Sequence, residues 1–289
     1  MYPLTRWRFL ITEPTDGPLN MAIDEAIQFG VAAGESPPTL RFFAWTPPCL
    51  SLGYGQPITD VDLSRLEARD WHLVRRPTGG KAILHTDELT YSVIAPQTDP
   101  RVAGGIVESY RRLSEGLVRG LALMDLIAQS DKIYFTTEHA ENAEIVSNDS
   151  ANSAISAAKE NPVCFETPSN YEITVIGKKL IGSAQARKKG VVLQHGTLPL
   201  TGDLTRICEA LAFADEAARE RAKERVRARA ITLEGALGQT VSWERAANAM
   251  KHGFCEALNL EFETGELSGT ELAHARHLRS IKYSVTERD

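Results

Sequence analysis

The chain has 289 residues, 43% of them hydrophobic and 24% charged, the composition of a folded protein with a sizeable core rather than of a disordered segment. Its 32 Lys and Arg against 38 Asp and Glu leave a formal net charge of −6, so no global basic field is available to hold nucleic acid or an anionic membrane. The apolar runs are far shorter than the ~20 residues that cross a bilayer, and the first residues show no basic region followed by an apolar stretch, which points to a cytoplasmic protein.

In chain order, the pattern predicts a strand over residues 7–11, a turn at Asp16-Gly17-Pro18, and a helix opened by Asn20, with Leu19, Ile23, Ile27 and Val31 on one face. Residues 40–45 and 49–54 read as two strands joined by a tight turn, and 62–69 as a short polar helix. Residues 72–95 read as strand, Gly-Gly loop, strand, loop, strand, the last with Leu89, Tyr91, Val93 and Ala95 alternating against Thr90 and Ser92. Tyr110, Leu113, Leu117, Val118 and Leu121 place an amphipathic helix over 108–124. Residues 129–161, small and polar around Ser147 to Ser153, hold too few apolar side chains to fold on a core and read as a mobile insertion. Strands resume over 171–176, 180–186, 191–195 and 197–200. Helical patterns follow from 203: Leu204, Ile207, Cys208 and Leu211 on one face, a charged segment to Arg229, then helices over 242–258 and from the capping box Ser268 to Glu271 through Leu278. Strands followed by helices indicate an α+β fold with a helical C-terminal portion.

The segment Arg75-Arg76-Pro77-Thr78-Gly79-Gly80-Lys81-Ala82-Ile83-Leu84-His85 is the most unusual in the chain. Glycines let the backbone approach a ligand and turn N–H groups toward it, while arginines neutralise a phosphate or carboxylate. A hairpin turn with solvated arginines explains the same residues, and spacing alone leaves the two readings level. The patterns GxxxxGK[ST], GxGxxG and GxSxG are absent, which removes the common mononucleotide, dinucleotide and serine-hydrolase signatures.

Cys164 stands in a Pro-bracketed stretch, Pro162-Val163-Cys164-Phe165-Glu166-Thr167-Pro168, between the polar insertion and a strand. A thiol with the ordinary pKa of ~8.5 is only a few per cent thiolate at neutral pH, so a nucleophilic cysteine needs a positive charge beside it. Lys179, one predicted strand further along, is the candidate cation; a small buried hydrophobe is the alternative reading of Cys164. Cys49, Cys208 and Cys255 read as core. His85 and His195 border loops or strand ends and are placed to face a cleft. The mixed-sign run from Arg219 to Arg229 reads as a solvated helix face, and Arg187-Lys188-Lys189, in a turn, as a contact for an acidic partner protein.

At WRFLIT, DGPLNMAIDEAI, LRFFAWTPPCLSLGYGQ, VRRPTGGKAILHTDELTYSV and NYEITVIGKKLIGSAQARKKGVVLQHGTLPL, the chain resembles the lipoate–protein ligase and octanoyltransferase superfamily, which includes the biotin–protein ligases. Around Cys164 it resembles the cysteine-dependent octanoyltransferase branch. The resemblance implies a mixed, mostly antiparallel sheet packed by helices, with residues 1–202 as an acyltransferase core and 203–289 as a helical portion packed on the same domain. It implies that Cys164 takes an octanoyl group from octanoyl-acyl carrier protein as a thioester and passes it to a lysine of a lipoyl domain, typically the glycine cleavage H protein, in protein lipoylation. It assigns Lys179 to lowering the cysteine pKa and contacting the acyl carbonyl, and Arg76, Thr78, Gly79, Gly80, His85, Gly182, Ser183 and Ala184 to substrate binding. No cofactor, metal, nucleic acid or membrane is implied, because the acyl group arrives activated. The chain departs from the family pattern in a long insertion before Asn161 and in Gly55, where an aromatic residue is expected. The competing readings are an ATP-dependent lipoate–protein ligase, an amidotransferase between carrier domains, and a non-catalytic acyl-binding protein.

Overall fold

The computed structural model describes residues 2–130 and 172–283. The expected insertion from residue 131 onward, and Cys164 with it, lies outside the described residues.

Eight strands form the main sheet. In chain order these are β1 (Thr5–Ile11), β2 (Thr39–Phe43), β6 (Glu88–Pro96), β7 (Gln129–Ser130), β8 (Ile173–Val175), β9 (Lys178–Lys188), β10 (Val191–Pro199) and β11 (Leu260–Thr264). They lie in the order β11-β1-β2-β6-β10-β9-β8-β7. The pairs β1 with β11 and β1 with β2 are parallel, and every pair from β2 to β7 is antiparallel, so the sheet is mixed and mostly antiparallel. Three shorter strands, β3 (Cys49–Leu52), β4 (His72–Arg75) and β5 (Ile83–His85), form a second sheet in the order β4-β3-β5.

The alternation in β6 sets the layers. Leu89, Tyr91, Val93 and Ala95 point to one face, where α3 (Ile106–Ala122) and α6 (Trp243–Leu258) cover them together with Leu113, Leu117, Met250 and Phe254. These two helices cross closely: a Cβ on Gly253 would lie 2.3 Å from the Gly120 backbone nitrogen. The opposite face, with Ile94 and Leu193, is covered by α1 (Gly17–Ala33) and α7 (Gly269–Ile281) through Met21, Ile23, Ile27, Ala275 and Leu278. Burial of both faces explains why Thr90 and Ser92 are as enclosed as the apolar residues between them. The small sheet has its own core, in which Leu50 and Leu52 meet Leu66 of α2 (Leu63–Glu67), Ile207, Cys208 and Leu211 and, from α4 (Glu216–Arg229), Ala222 and Val226, while the short α5 (Leu233–Leu237) adds Leu233 to the core under α3 and α6.

Four elements differ from the sequence pattern. Helix α1 starts at Gly17 because Asp16 caps it, accepting from the Leu19 N–H at 2.7 Å, and Pro18 fits the first turn. Asn20 is therefore inside the helix, its amide donating to Thr15 and Ala44 carbonyls. Strands β2 and β3 are not a hairpin, since each joins a different sheet. The segment 204–211 is a short 3-10 turn at Leu204–Glu209 rather than a long helix. Strand β11 follows α6 and pairs with β1, adding one strand to an otherwise helical C-terminal portion. No helix among the described residues is long and apolar enough to cross a membrane.

Candidate active site

A cavity of about 330 Å³ opens where β9 and β10 meet the loop between β4 and β5. Its walls bring together Arg76, Gly79, Gly80, His85, Lys179, Gly182, Ser183 and Ala184, with Met21, Trp45, Ser51 and His195 among the others. Thr78 is fully buried behind the wall, its hydroxyl 2.7 Å from His195 Nε2.

The Gly-Gly loop is held by the arginines that flank it. Arg76 donates through Nη1 to the Ser51 carbonyl at 2.9 Å, and through Nη2 to the Gly79 and Lys81 carbonyls at 2.9 and 2.8 Å. Arg75 donates to the carbonyls of Gly53, Tyr54 and Gln56. Inward carbonyls without a ladder partner need donors, and these side chains supply them. Gly80 has a φ of +91°, which suits glycine. Its carbonyl lies so close to Gly53 that a Cβ there would sit at 1.8 Å. Gly53 is thus a loop-packing position that the sequence pattern did not single out.

Two polar chains brace the cavity from below. Ser51 Oγ is 2.7 Å from His85 Nε2, and His85 Nδ1 is 2.6 Å from Glu88 Oε1. Thr90 also donates to Glu88, and Trp45, stacked on His85 with centroids 3.9 Å apart, donates to Thr90. In the second chain, Arg41 donates to Asp24 Oδ1 at 2.7 Å and to Asn20 Oδ1. Asp24 Oδ2 faces His195 Nδ1 at 3.9 Å. Burial pushes the Asp24 carboxyl up, but Arg41 and His195 outweigh it and hold the carboxyl below its ordinary range. Burial pushes His195 below its usual 6.5 against the pull of Asp24, which leaves the imidazole neutral at pH 7.

Lys179 is almost wholly enclosed, with its Nζ donating to Glu172 Oε1 at 2.6 Å. Its chain crosses Gly182, where a Cβ would stand 2.8 Å from Lys179 Cε. Further along β9, Ser183 Oγ is 2.7 Å from the Tyr91 hydroxyl, whose pKa burial pushes up to about 12. Cys49 is buried and its pKa is raised by burial, then by Asp16 and Glu88; Cys208 is buried and Cys255 half-buried, with burial raising the latter.

In the basic turn Arg187-Lys188-Lys189 the arginine is engaged within the fold, while Lys188 and Lys189 are exposed. Arg187 donates to the Gly104, Gly105 and Val102 carbonyls and to Ser109, Lys188 pairs with Glu25 at 3.2 Å, and Lys189 lies over the Phe29 ring. Glu172, Asp24, Arg41, Glu88 and Ser51 are the site residues to which the sequence pattern assigned no role. One signal was available: Asp24 stands four residues after Asn20 and next to Ile23, on the buried side of α1.

The lipoyl protein ligase A/B catalytic domain is matched over residues 16–255. The chain belongs to this family. It is 41% identical over 282 residues to octanoyltransferase LipM of Kyrpidia tusciae, covering 97% of each chain. With octanoyltransferase LipM of Bacillus subtilis it shares 35% identity over 285 residues, covering 97% of this chain and 96% of that one. Among solved structures it is similar to a bipartite lipoate protein ligase from Thermoplasma acidophilum, with a TM-score of 0.77 at 26% identity over 98% of this chain and 95% of that one. A lipoate-protein ligase A bound with ATP gives a TM-score of 0.75 at 25% identity, covering 98% of both chains. The matched catalytic domain includes all the cavity residues named above.

Proposed function

We propose that this chain moves an octanoyl group from octanoyl-acyl carrier protein to a lysine of a lipoyl domain, with the glycine cleavage H protein as acceptor, through a thioester on Cys164. The chain is an octanoyltransferase of protein lipoylation, as near full-length relatives of that name indicate; the donor, the acceptor and the covalent route are our reading. The observation that carries it is the buried ammonium of Lys179 at the wall of an otherwise largely apolar cavity, a size suited to one small acyl chain.

The chemistry balances without ATP. The Cys164 thiolate attacks the carrier thioester, a new C–S bond forms, and the carrier sulfur leaves with the electron pair. The acceptor amine, ordinarily protonated with a pKa of ~10.4, sheds one proton before it attacks. The amide bond then forms as the bond to Cys164 breaks, and the remaining surplus proton on nitrogen passes to sulfur. Splitting the transfer in two replaces one three-body encounter by two simpler ones. Arg76 and the Gly-Gly loop form the rim, and Gly182, Ser183 and Ala184 the β9 wall, along which the acyl chain is placed in this reading.

The test is an assay of purified protein with octanoyl-acyl carrier protein and apo H protein, with and without ATP. Transfer independent of ATP and abolished in Cys164→Ala is expected. Full activity in that variant, or transfer only from free octanoate with ATP, overturns the route; the second outcome favours a ligase.

A further inference from the structure

We propose that the Thr197 hydroxyl is a catalytic hydrogen-bond donor, set across the bare Gly182 backbone from Lys179, that bonds the oxygen of the octanoyl carbonyl. The inference rests on the octanoyl transfer proposed above, with the acyl carbonyl beside Lys179, and not on which group of the enzyme carries the acyl chain.

Thr197 lies on β10, is 2% exposed and lines the cavity. Its Oγ1 is buried with no hydrogen-bond partner among the described residues. The polar side chains around it are engaged. Thr90, opposite it on β6, bonds to Glu88 and Trp45; His195, two residues earlier on β10, meets Thr78, and Ser51 meets His85. A buried hydroxyl that bonds to nothing destabilises a fold relative to a methyl group in its place. The fold therefore has no use for this oxygen, and a ligand in the cavity supplies the missing acceptor.

The register of the sheet indicates which ligand atom that is. On β9, Thr197 stands opposite Gly182, and directly opposed residues of an antiparallel pair share one face with their Cβ positions about 4.5–5.5 Å apart. Gly182 carries no side chain, and a Cβ there would fall 3.1 Å from Lys179 Nζ. Thr197 and the Lys179 ammonium thus flank one opening in the cavity wall, a single side chain wide. A positive charge and a neutral donor at one opening suit an acceptor on which negative charge develops. The acyl oxygen is that acceptor. As a nucleophile adds to the acyl carbon, the carbonyl π pair moves onto oxygen; as the leaving group departs with its bonding pair, the C=O bond re-forms. The hydroxyl keeps its proton throughout, and its hydrogen bond is strongest while the oxygen is charged. The branched Cβ of threonine restricts χ1 and the strand fixes the backbone, so the donor is in place before the charge arrives. It acts alike on removal of the acyl group from the carrier and on its delivery to the acceptor, because the same oxygen is charged in both.

The test is steady-state transfer from octanoyl-acyl carrier protein to apo H protein by the full-length enzyme, with thermal melts of the same samples. Thr197→Val keeps the shape and removes the hydroxyl. In it, kcat and kcat/KM are expected to fall together by about a hundredfold, with KM within about twofold of wild type and the thermal midpoint equal or higher. Thr197→Ser restores the hydroxyl and is expected to stay within about tenfold of wild type. A wild-type rate in Thr197→Val, an equal loss in both variants, or a lowered midpoint in Thr197→Val, which gives the hydroxyl a place in the fold, overturns the proposal. A wild-type enzyme that transfers nothing from the carrier protein removes the underlying reading instead, and that outcome is read before any variant is compared.

Discussion

The two faces of the main sheet are made by the same strands and are buried to the same degree, yet they are held together differently. Under α3 and α6, β6 presents Leu89, Tyr91, Val93 and Ala95 to Leu113, Leu117 and Phe254, and the helices approach until Gly253 touches Gly120. Under α1, the same strand presents Ser92 to Asp24 and Thr90 to Glu88, and β10 presents His195 to Thr78. The first face gains stability from area and packing density. The second encloses charges that are tolerable only while paired, and in exchange it fixes the histidines and the Gly-Gly loop at the cavity. Specific side-chain orientation requires directional bonds: those that fix the histidines lie on the α1 face, while the α3/α6 face adds the bonds of Tyr91 to Ser183 and Gln194 at the β9 wall of the cavity.

This contrast can be broken most severely at Arg41. Arg41→Met leaves Asp24 buried without its guanidinium, and a loss of about 3–5 kcal/mol in denaturant unfolding is expected. The loss should shrink as pH falls, because Asp24 can then take a proton; a penalty independent of pH means the pair is not what is being lost. Gly182→Ala should cost about a hundredfold in transfer rate, since a displacement of the lysine of around 1 Å is enough, with the thermal midpoint little changed. A variant that keeps wild-type kcat argues that Lys179 has no fixed place in the reaction.

On the apolar face, Gly253→Ala forces α3 and α6 apart. About 1–3 kcal/mol of stability should be lost, with kcat/KM of the remaining folded enzyme unchanged. A KM change there would show that the two faces are not separable. The smallest effect concerns His195, whose pKa in the folded protein lies below the ordinary 6.5. Between the two values the unfolded chain binds the extra proton, so this contribution to stability is complete above about pH 6.5 and declines as pH falls through the window below it. His195→Gln should flatten that part of the curve in thermal melts taken from pH 7.5 to 5, and an unaltered slope would contradict the assignment.

Much of the apolar face was legible in the sequence, because period-two alternation in β6 and helical spacing in α3 each report burial directly. The amphipathic helix placed at 108–124 is observed at Ile106–Ala122. The cavity residues were nameable where the chain resembles a known family, and Cys164 and Lys179 were singled out by the chemistry a thiol requires. The brace beneath the cavity was not nameable. Asp24 and Arg41 are charged residues, and one residue read alone says nothing of a partner 17 positions away. For the same reason nothing in the sequence shows that Arg187, unlike the exposed Lys188 and Lys189 beside it, is occupied by the carbonyls of residues 102–105. Strand β11 depends on β1, at the other end of the chain, for its pairing.

The most direct test of the central claim is intact-mass and peptide mapping of the wild-type enzyme after incubation with octanoyl-acyl carrier protein alone, with neither ATP nor acceptor present. One octanoyl group on Cys164, released when apo H protein is added, is the predicted result. Transfer to the H protein at full rate with Cys164 unmodified throughout would contradict it.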